Sequence, residues 1–204
     1  MATELLDRRV ELDTDDSVEA RAVAALLTCV ARTGWTKTTF DDIAREAGCS
    51  RATLYRRCSG KAALLQATLE SERVRFGREL LAATHDATTL EDACVAVLTT
   101  ATQMLRDHAA LQFLLAFEPE VILPHLTFSA GDTLLVESGN VVAPALTPFL
   151  DVGDAPRTGE WLARTVFVYL NRPNTPFDLS SEAGARVLVR EFLLPAFTHL
   201  SVRS

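Results

Sequence analysis

Residues 40–61 read FDDIAREAGCSRATLYRRCSGK, and their spacing decides the fold. Thr39 stands just before this run and three residues ahead of Asp42, a capping-box-like start for a short helix through Ala47. Gly48 stops that helix at a point where positive φ carries no steric cost. Ser50 caps a second short helix, Arg51 to about Arg57, and Gly60 opens a longer one from Lys61. Ala44 lets the two short helices approach closely, while Ile43, Ala47 and Leu54 fill the wedge between them. The spacing Ala44-x3-Gly48-x5-Leu54 is that of a helix-turn-helix.

The second short helix turns Arg51, Ala52, Thr53, Tyr55 and Arg56 outward. That set can donate to guanine edges, touch thymine methyls and reach phosphates. Between Gly48 and Lys61 lie four cations (Arg51, Arg56, Arg57, Lys61) and no acid, although the chain carries a net charge of −7. A run of like charge usually just solvates a helix face. Here it coincides with the Ala-Gly-Leu spacing and the Ser50 cap, and the combination points to nucleic acid.

Working outward, the pattern stays helical. Upstream, the acid-rich residues 1–16 read as a flexible arm. From Ser17 an apolar stripe runs through Val23, Leu26, Leu27, Val30 and Ala31, and Gly34 ends it. Downstream, Leu65, Leu69, Phe76 and Leu80 carry a helix to about Thr84. A clean stripe follows from Leu90 through Ala93, Cys94, Val97, Leu98 and Ala101 to Leu105. Pro119 and Pro124 should break the apolar segment HAALQFLLAFEPEVILPHL. A helix is expected over Asp132–Ala143, a loop over DVGDAPRTGE (151–160), a helix over Trp161–Leu170, and a last amphipathic helix over Ala185–Ala196. No alternating Val/Ile-rich run suggests a strand. The fold is expected to be all-α with about nine helices. An N-terminal helix-turn-helix domain spans 17–62 and a larger helical domain spans 63–204.

Composition sets the remaining bounds. Of 204 residues, 48% are apolar and 23% charged, which is ordinary for a globular chain. Cys29, Cys49, Cys58 and Cys94 show no CxxC spacing, so free thiols in a reducing cytoplasm are expected. The N-terminal stretch lacks the apolar run of a signal peptide, and no run approaches the roughly 18 apolar residues of a membrane span. The sequence contains no HExxH, GxSxG, Walker loop or GxGxxG after a strand, and His85, His108, His125 and His199 are scattered. Neither catalysis, metal nor cofactor is expected, and the expected location is cytoplasmic.

The stretch Thr38–Leu65, TTFDDIAREAGCSRATLYRRCSGKAALL, resembles the DNA-binding signature of the tetracycline-repressor (TetR) family of bacterial transcription regulators. Ile43-Ala44, Ala47-Gly48, Ser50, Thr53-Leu54-Tyr55 and Lys61 match in register. The chain departs at Cys58, where the family usually has Phe, at Gly60, where a Ser-like cap is usual, and at Ala62, often Glu. None of these removes a DNA-contacting group. The resemblance implies that Arg51, Ala52 and Tyr55 face base edges. It places Thr39, Ser50, Thr53, Arg56, Arg57 and Lys61 near phosphates, with Lys61 aided by its helix N-terminus. From residue 71 onward there are 10 Lys+Arg against 16 Asp+Glu, so the negative charge lies mainly outside this region and helps orient the basic face towards DNA.

The resemblance also implies a regulator that binds a palindromic double-stranded operator as a homodimer and is released by a small-molecule effector. The last two helices would be the dimer pair, through Leu162, Val166, Tyr169, Leu188, Phe192 and Leu193. The middle helices would enclose a mainly apolar effector, walled by Met104, Phe113, Phe117, Phe128 and Trp161 with Glu118, His125 and Glu137 as polar candidates. Two alternatives stand beside it: a helix-turn-helix regulator controlled by a protein partner, and a helical-bundle enzyme.

Overall fold

The computed structural model describes the backbone of residues 2–121, 131–170 and 177–199, and the side chains of 18–121, 135–170 and 177–196. The described residues form helices and connecting turns, without a strand, as expected of an all-α chain. They divide into two compact units. One comprises the residues up to Glu72 together with Ala109–Val121; the other comprises Arg73–His108 and the described residues beyond 122.

The first unit is built on α1 (Ala2–Thr33), α2 (Phe40–Glu46), α3 (Arg51–Arg57), the first half of α4 (Lys61–Ala83), and α6 (Ala109–Phe117). The backbone of α1 is helical through the stretch expected as a flexible arm. Neither Gly nor Pro interrupts Ala2–Thr33, so nothing there breaks the helix. Its stripe of Ala22, Val23, Ala25, Leu26, Cys29 and Val30 is buried with Phe40, Ile43, Ala44, Leu54, Leu64 and Ala110. In α4 the core-facing leucine is Leu64, and Leu69, expected in the stripe, is exposed. Two adjacent leucines at 64 and 65 leave the helix register open in sequence, and burial of Leu64 in the core that holds Leu26, Ile43 and Leu54 resolves it.

The boundary expected at 62/63 takes a different form. The helix α4 is continuous across residue 72, and α6 packs on α1 although it lies far downstream. Ala110 is buried in the core of the first unit with Leu114 packed against it. The helix α6 ends at Phe117 because Pro119 disfavours helical backbone at the residue before it.

The second unit holds α5 (Leu90–Asp107), α7 (Gly131–Leu146), α8 (Asp154–Leu170) and α9 (Glu182–Leu188). The last runs on into a π-helical turn, Val189–Leu193, and a 3₁₀ segment, Leu194–His199. The expected loop over 151–160 is a correction: α8 begins inside it, at Asp154. Asp154 favours the positive end of the helix, and Pro156 falls in the first turn, where its missing N–H has no intrahelical acceptor anyway. Gly159 belongs to the packing rather than to a turn. A Cβ there would lie 2.6 Å from the Gly139 carbonyl oxygen, and one on Gly139 would lie 2.5 Å from that of Pro156. The backbones of α7 and α8 therefore touch where they cross. No helix among the described residues is long and apolar enough to cross a membrane.

Candidate nucleic-acid interface

Local chemistry builds the helix-turn-helix as its sequence anticipates. The Thr39 hydroxyl accepts from the Asp42 N–H (3.1 Å), and the Asp42 carboxylate accepts from the Thr39 N–H (3.1 Å), a reciprocal capping box. The Thr39 hydroxyl also bonds this carboxylate and is the main cause holding its pKa below the usual range. Gly48 takes φ +65, and the Cys49 N–H donates back to the Ala44 carbonyl at 3.0 Å. The Ser50 Oγ accepts from the Thr53 N–H at 3.0 Å and starts α3. Ile43, Ala44, Ala47 and Leu54 are buried between the helices. Arg21 of α1 donates to the Ala47 carbonyl (3.1 Å), so the turn is also tied to the first helix.

The side chains left outside are those expected to meet DNA. Arg51, Ala52, Tyr55, Arg56 and Arg57 are exposed, and Thr53 is half-buried. The Tyr55 ring packs on Phe40, with centroids 4.5 Å apart, and the Arg51 guanidinium lies 5.4 Å from the Tyr55 ring centre. Asp41 is a partner that spacing alone did not single out. Its two carboxylate oxygens take Nε and Nη1 of Arg51, each at 3.0 Å. Hydrogen bonding to Tyr55 and then the charge of Asp41 raise the guanidinium's pKa above its ordinary value. A base reaching Arg51 must therefore compete with a forked ion pair across the helix-turn-helix.

Lys61 also has an unexpected neighbour. Its Nζ lies 3.9 Å from the centre of the Trp35 ring and donates to the Trp35 carbonyl. Burial pushes its pKa down, and the charge of Glu118 opposes that shift. Glu118, expected to line an effector pocket, instead takes the backbone N–H groups of Trp35 (2.7 Å) and Thr36 (3.3 Å) within the first unit.

The other expected pocket residues are likewise divided. Phe113 and Phe117 belong to the first unit, with Phe117 exposed. Met104, Glu137 and Trp161 belong to the second. His125 and Phe128 lie outside the described residues. Glu137 pairs with Arg73 at 3.1 Å, beside a groove of about 310 Å³ walled by Val74 and Gly77 of α4 and Asn140, Val141 and Pro144 of α7.

Of the residues expected at a dimer contact, Leu162, Val166, Leu188 and Leu193 are buried in the second unit's own core. Tyr169 is half-buried and meets the edge of Phe177, and Phe192 is 57% exposed. The apolar groups actually outside on these helices are Trp161, Val168, Val187 and Phe192. A continuous apolar stripe has two sides, and the core takes the one that fits α5 and α7.

The family model described as "Bacterial regulatory proteins, tetR family" matches residues 22–68, which span α1 to α4. An HTH-type transcriptional regulator of Mycobacterium tuberculosis is 32% identical over 164 residues, covering 79% of this chain and 76% of that one. Among solved structures, the TetR family repressor AlkX from a Dietzia strain has a TM-score of 0.64 at 20% identity, covering 89% of this chain and 96% of that one. The fatty acid degradation regulator FadR of Bacillus halodurans has a TM-score of 0.60 at 18% identity, covering 86% and 96%. FadR of Bacillus subtilis, solved in complex with stearoyl-CoA, has a TM-score of 0.56 at 16% identity, covering 83% and 96%. With its buried Ile43–Leu54 wedge and basic outer face, the chain belongs to the tetR family of bacterial regulatory proteins, as a helix-turn-helix transcriptional regulator.

Proposed function

We propose that this regulator is a repressor that binds a palindromic operator as a homodimer and is released by a mainly apolar small molecule. The observation that carries the reading is α3, which is anchored by Leu54 and turns Arg51, Tyr55, Arg56 and Arg57 outward. Arg51, Ala52 and Tyr55 are assigned to base edges; Thr39, Ser50, Thr53, Arg56, Arg57 and Lys61 are assigned to phosphates. One such helix offers few base contacts. Two copies related by a two-fold axis read half-sites about 34–36 Å apart, one helical turn.

The exposed Trp161, Val168, Val187 and Phe192 support the second unit as the dimerising part, and two-fold dimers are the commonest oligomers. An apolar effector is supported by the groove walled by Val74, Val141 and Pro144. The Bacillus subtilis FadR complex with stearoyl-CoA supports the same ligand class by analogy of fold. The helix α4 begins at Lys61 in the first unit and ends in the second. A ligand beside its second half would tilt it and change the separation of the two recognition helices. Selection of bound duplexes from random DNA, with and without long-chain acyl ligands, tests the reading. A two-fold symmetric consensus that weakens with ligand is expected; an asymmetric or absent consensus would sink the operator assignment.

A further inference from the structure

We propose that Glu118 is a positioning residue for DNA binding, acting through the turn that joins α1 to α2. It follows the last residue of α6 and lies 83 residues from Trp35 in sequence. Gly34 reverses the chain at the end of α1 with φ +84, and the next two N–H groups converge on one carboxylate. Successive backbone donors of this kind make a concavity for an anion. Here a side chain of the same unit fills it. Glu118 is only 9% exposed, so a carboxylate at this place depends on those donors. The fit also depends on glycine. A Cβ at residue 34 would lie 2.6 Å from a Glu118 carboxylate oxygen and 2.8 Å from the Phe113 ring.

The same turn also carries groups assigned to phosphate. The Trp35 carbonyl and ring hold Lys61. Thr38 is buried and donates to the Gly34 carbonyl at 2.6 Å, and Thr39, next to it, caps α2. Residues 35–39 thus link the Glu118 carboxylate to Lys61 and to the start of the helix-turn-helix. A contact group is only as well placed as the shell that supports it. Glu118 fixes where these groups stand without needing to touch DNA.

The test compares three variants on the duplex that the wild-type protein selects from random DNA, at one fixed salt concentration. Glu118→Ala removes the acceptor of both amides and is expected to weaken binding by about tenfold or more. The Trp35 amide donates to one carboxylate oxygen at 2.7 Å, and the Thr36 amide is shared by both oxygens at 3.3 Å. The carbonyl of Glu118→Gln can keep the Trp35 bond while its NH2, in place of the second oxygen, cannot accept from Thr36, so this variant should lose less binding than Glu118→Ala. Glu118→Asp keeps the charge but is shorter by one methylene, and it should fall with the alanine variant. Hydrogen exchange at the Trp35 amide should quicken in the alanine and aspartate variants and not in the glutamine one. Wild-type binding by Glu118→Ala, or a glutamine variant as weak as the alanine one, overturns the proposal. If the alanine variant does not fold, Glu118→Asp decides, and wild-type binding and exchange there overturn it. The proposal rests on the DNA-binding reading, which fails by itself if the wild-type protein selects no duplex.

Discussion

The Lys61 ammonium sits over the Trp35 ring, 3.9 Å from its centre, and donates to the carbonyl of the same residue. A cation at the start of α4 is well sited for a phosphate, but here it already has a partner. A phosphate contact there would have to draw it away or share it. A phosphate contact carries no base information. Lys61→Ala should therefore weaken all sequences alike and lower the salt slope by about 1. Fluorescence anisotropy across a salt series measures this, and an unchanged slope would leave Lys61 as a support of the turn only.

Arg51 and Asp41 form an exposed, forked pair. Such pairs contribute little to stability, so any effect of Asp41 is expected in DNA binding rather than in folding. Arg51→Ala should relax preference at one symmetric position of each half-site, by roughly tenfold or more if a bidentate guanine contact is lost. Asp41→Asn removes the acid paired with Arg51 and should tighten binding to random duplex while narrowing the gap between specific and random DNA. Binding-site selection with each variant reads both effects; an unaltered consensus for Arg51→Ala would take it out of base readout.

The crossing of α7 and α8 leaves no room for side chains at Gly139 and Gly159. Alanine favours a helix over glycine by about 1 kcal/mol, but the added methyl would collide with backbone that cannot rotate away. Gly139→Ala or Gly159→Ala should cost about 1–3 kcal/mol or more from overpacking. Gly153 meets nothing within 4 Å, and Gly153→Ala is the neutral control. Urea midpoints of the three variants make the comparison.

Acid should loosen the second unit at a definite place. Arg190 and Arg186 hold the Glu91 carboxyl below its usual range, and the Thr89 hydroxyl with Arg186 does the same for Asp92. A depressed folded pKa gives stability that is present above the unfolded value and lost as pH falls through the folded one. The window opens below about pH 5, where free carboxylates begin to protonate, and widens as pH falls towards the lowered folded values. Arg186→Met should flatten the fall of the urea midpoint there while lowering stability at pH 7. A slope like that of wild type would assign acid unfolding to other carboxylates.

Leu188 and Phe192 are four residues apart and have opposite surroundings: Leu188 is buried and Phe192 exposed. Leu188→Glu places a charge in a core without a partner and should unfold the protein. Phe192→Glu should leave the helical circular dichroism intact and shift sedimentation towards monomer. Dimers persisting in Phe192→Glu and in Trp161→Glu would move the interface elsewhere.

The amino-acid sequence by itself determined the helix-turn-helix. Its caps, its glycine turn and its leucine wedge all lie in one short stretch, between Thr39 and Leu54. Local backbone chemistry is enough to write them. The same locality explains the clean start of α5 at its Thr89 cap. Only the tertiary structure decided what depends on packing between distant segments. The start of α8 at Asp154 looked like a loop because Gly159 reads as a breaker until α7 is laid against it. The apolar stripes of α8 and α9 could not say which side is core, since Leu162 and Trp161, or Leu188 and Phe192, are equally apolar. Glu118 looked like a pocket acid because its partners, two backbone amides at residues 35 and 36, carry no side-chain signal at all. Backbone donors become recognition groups only when the chain is folded around them.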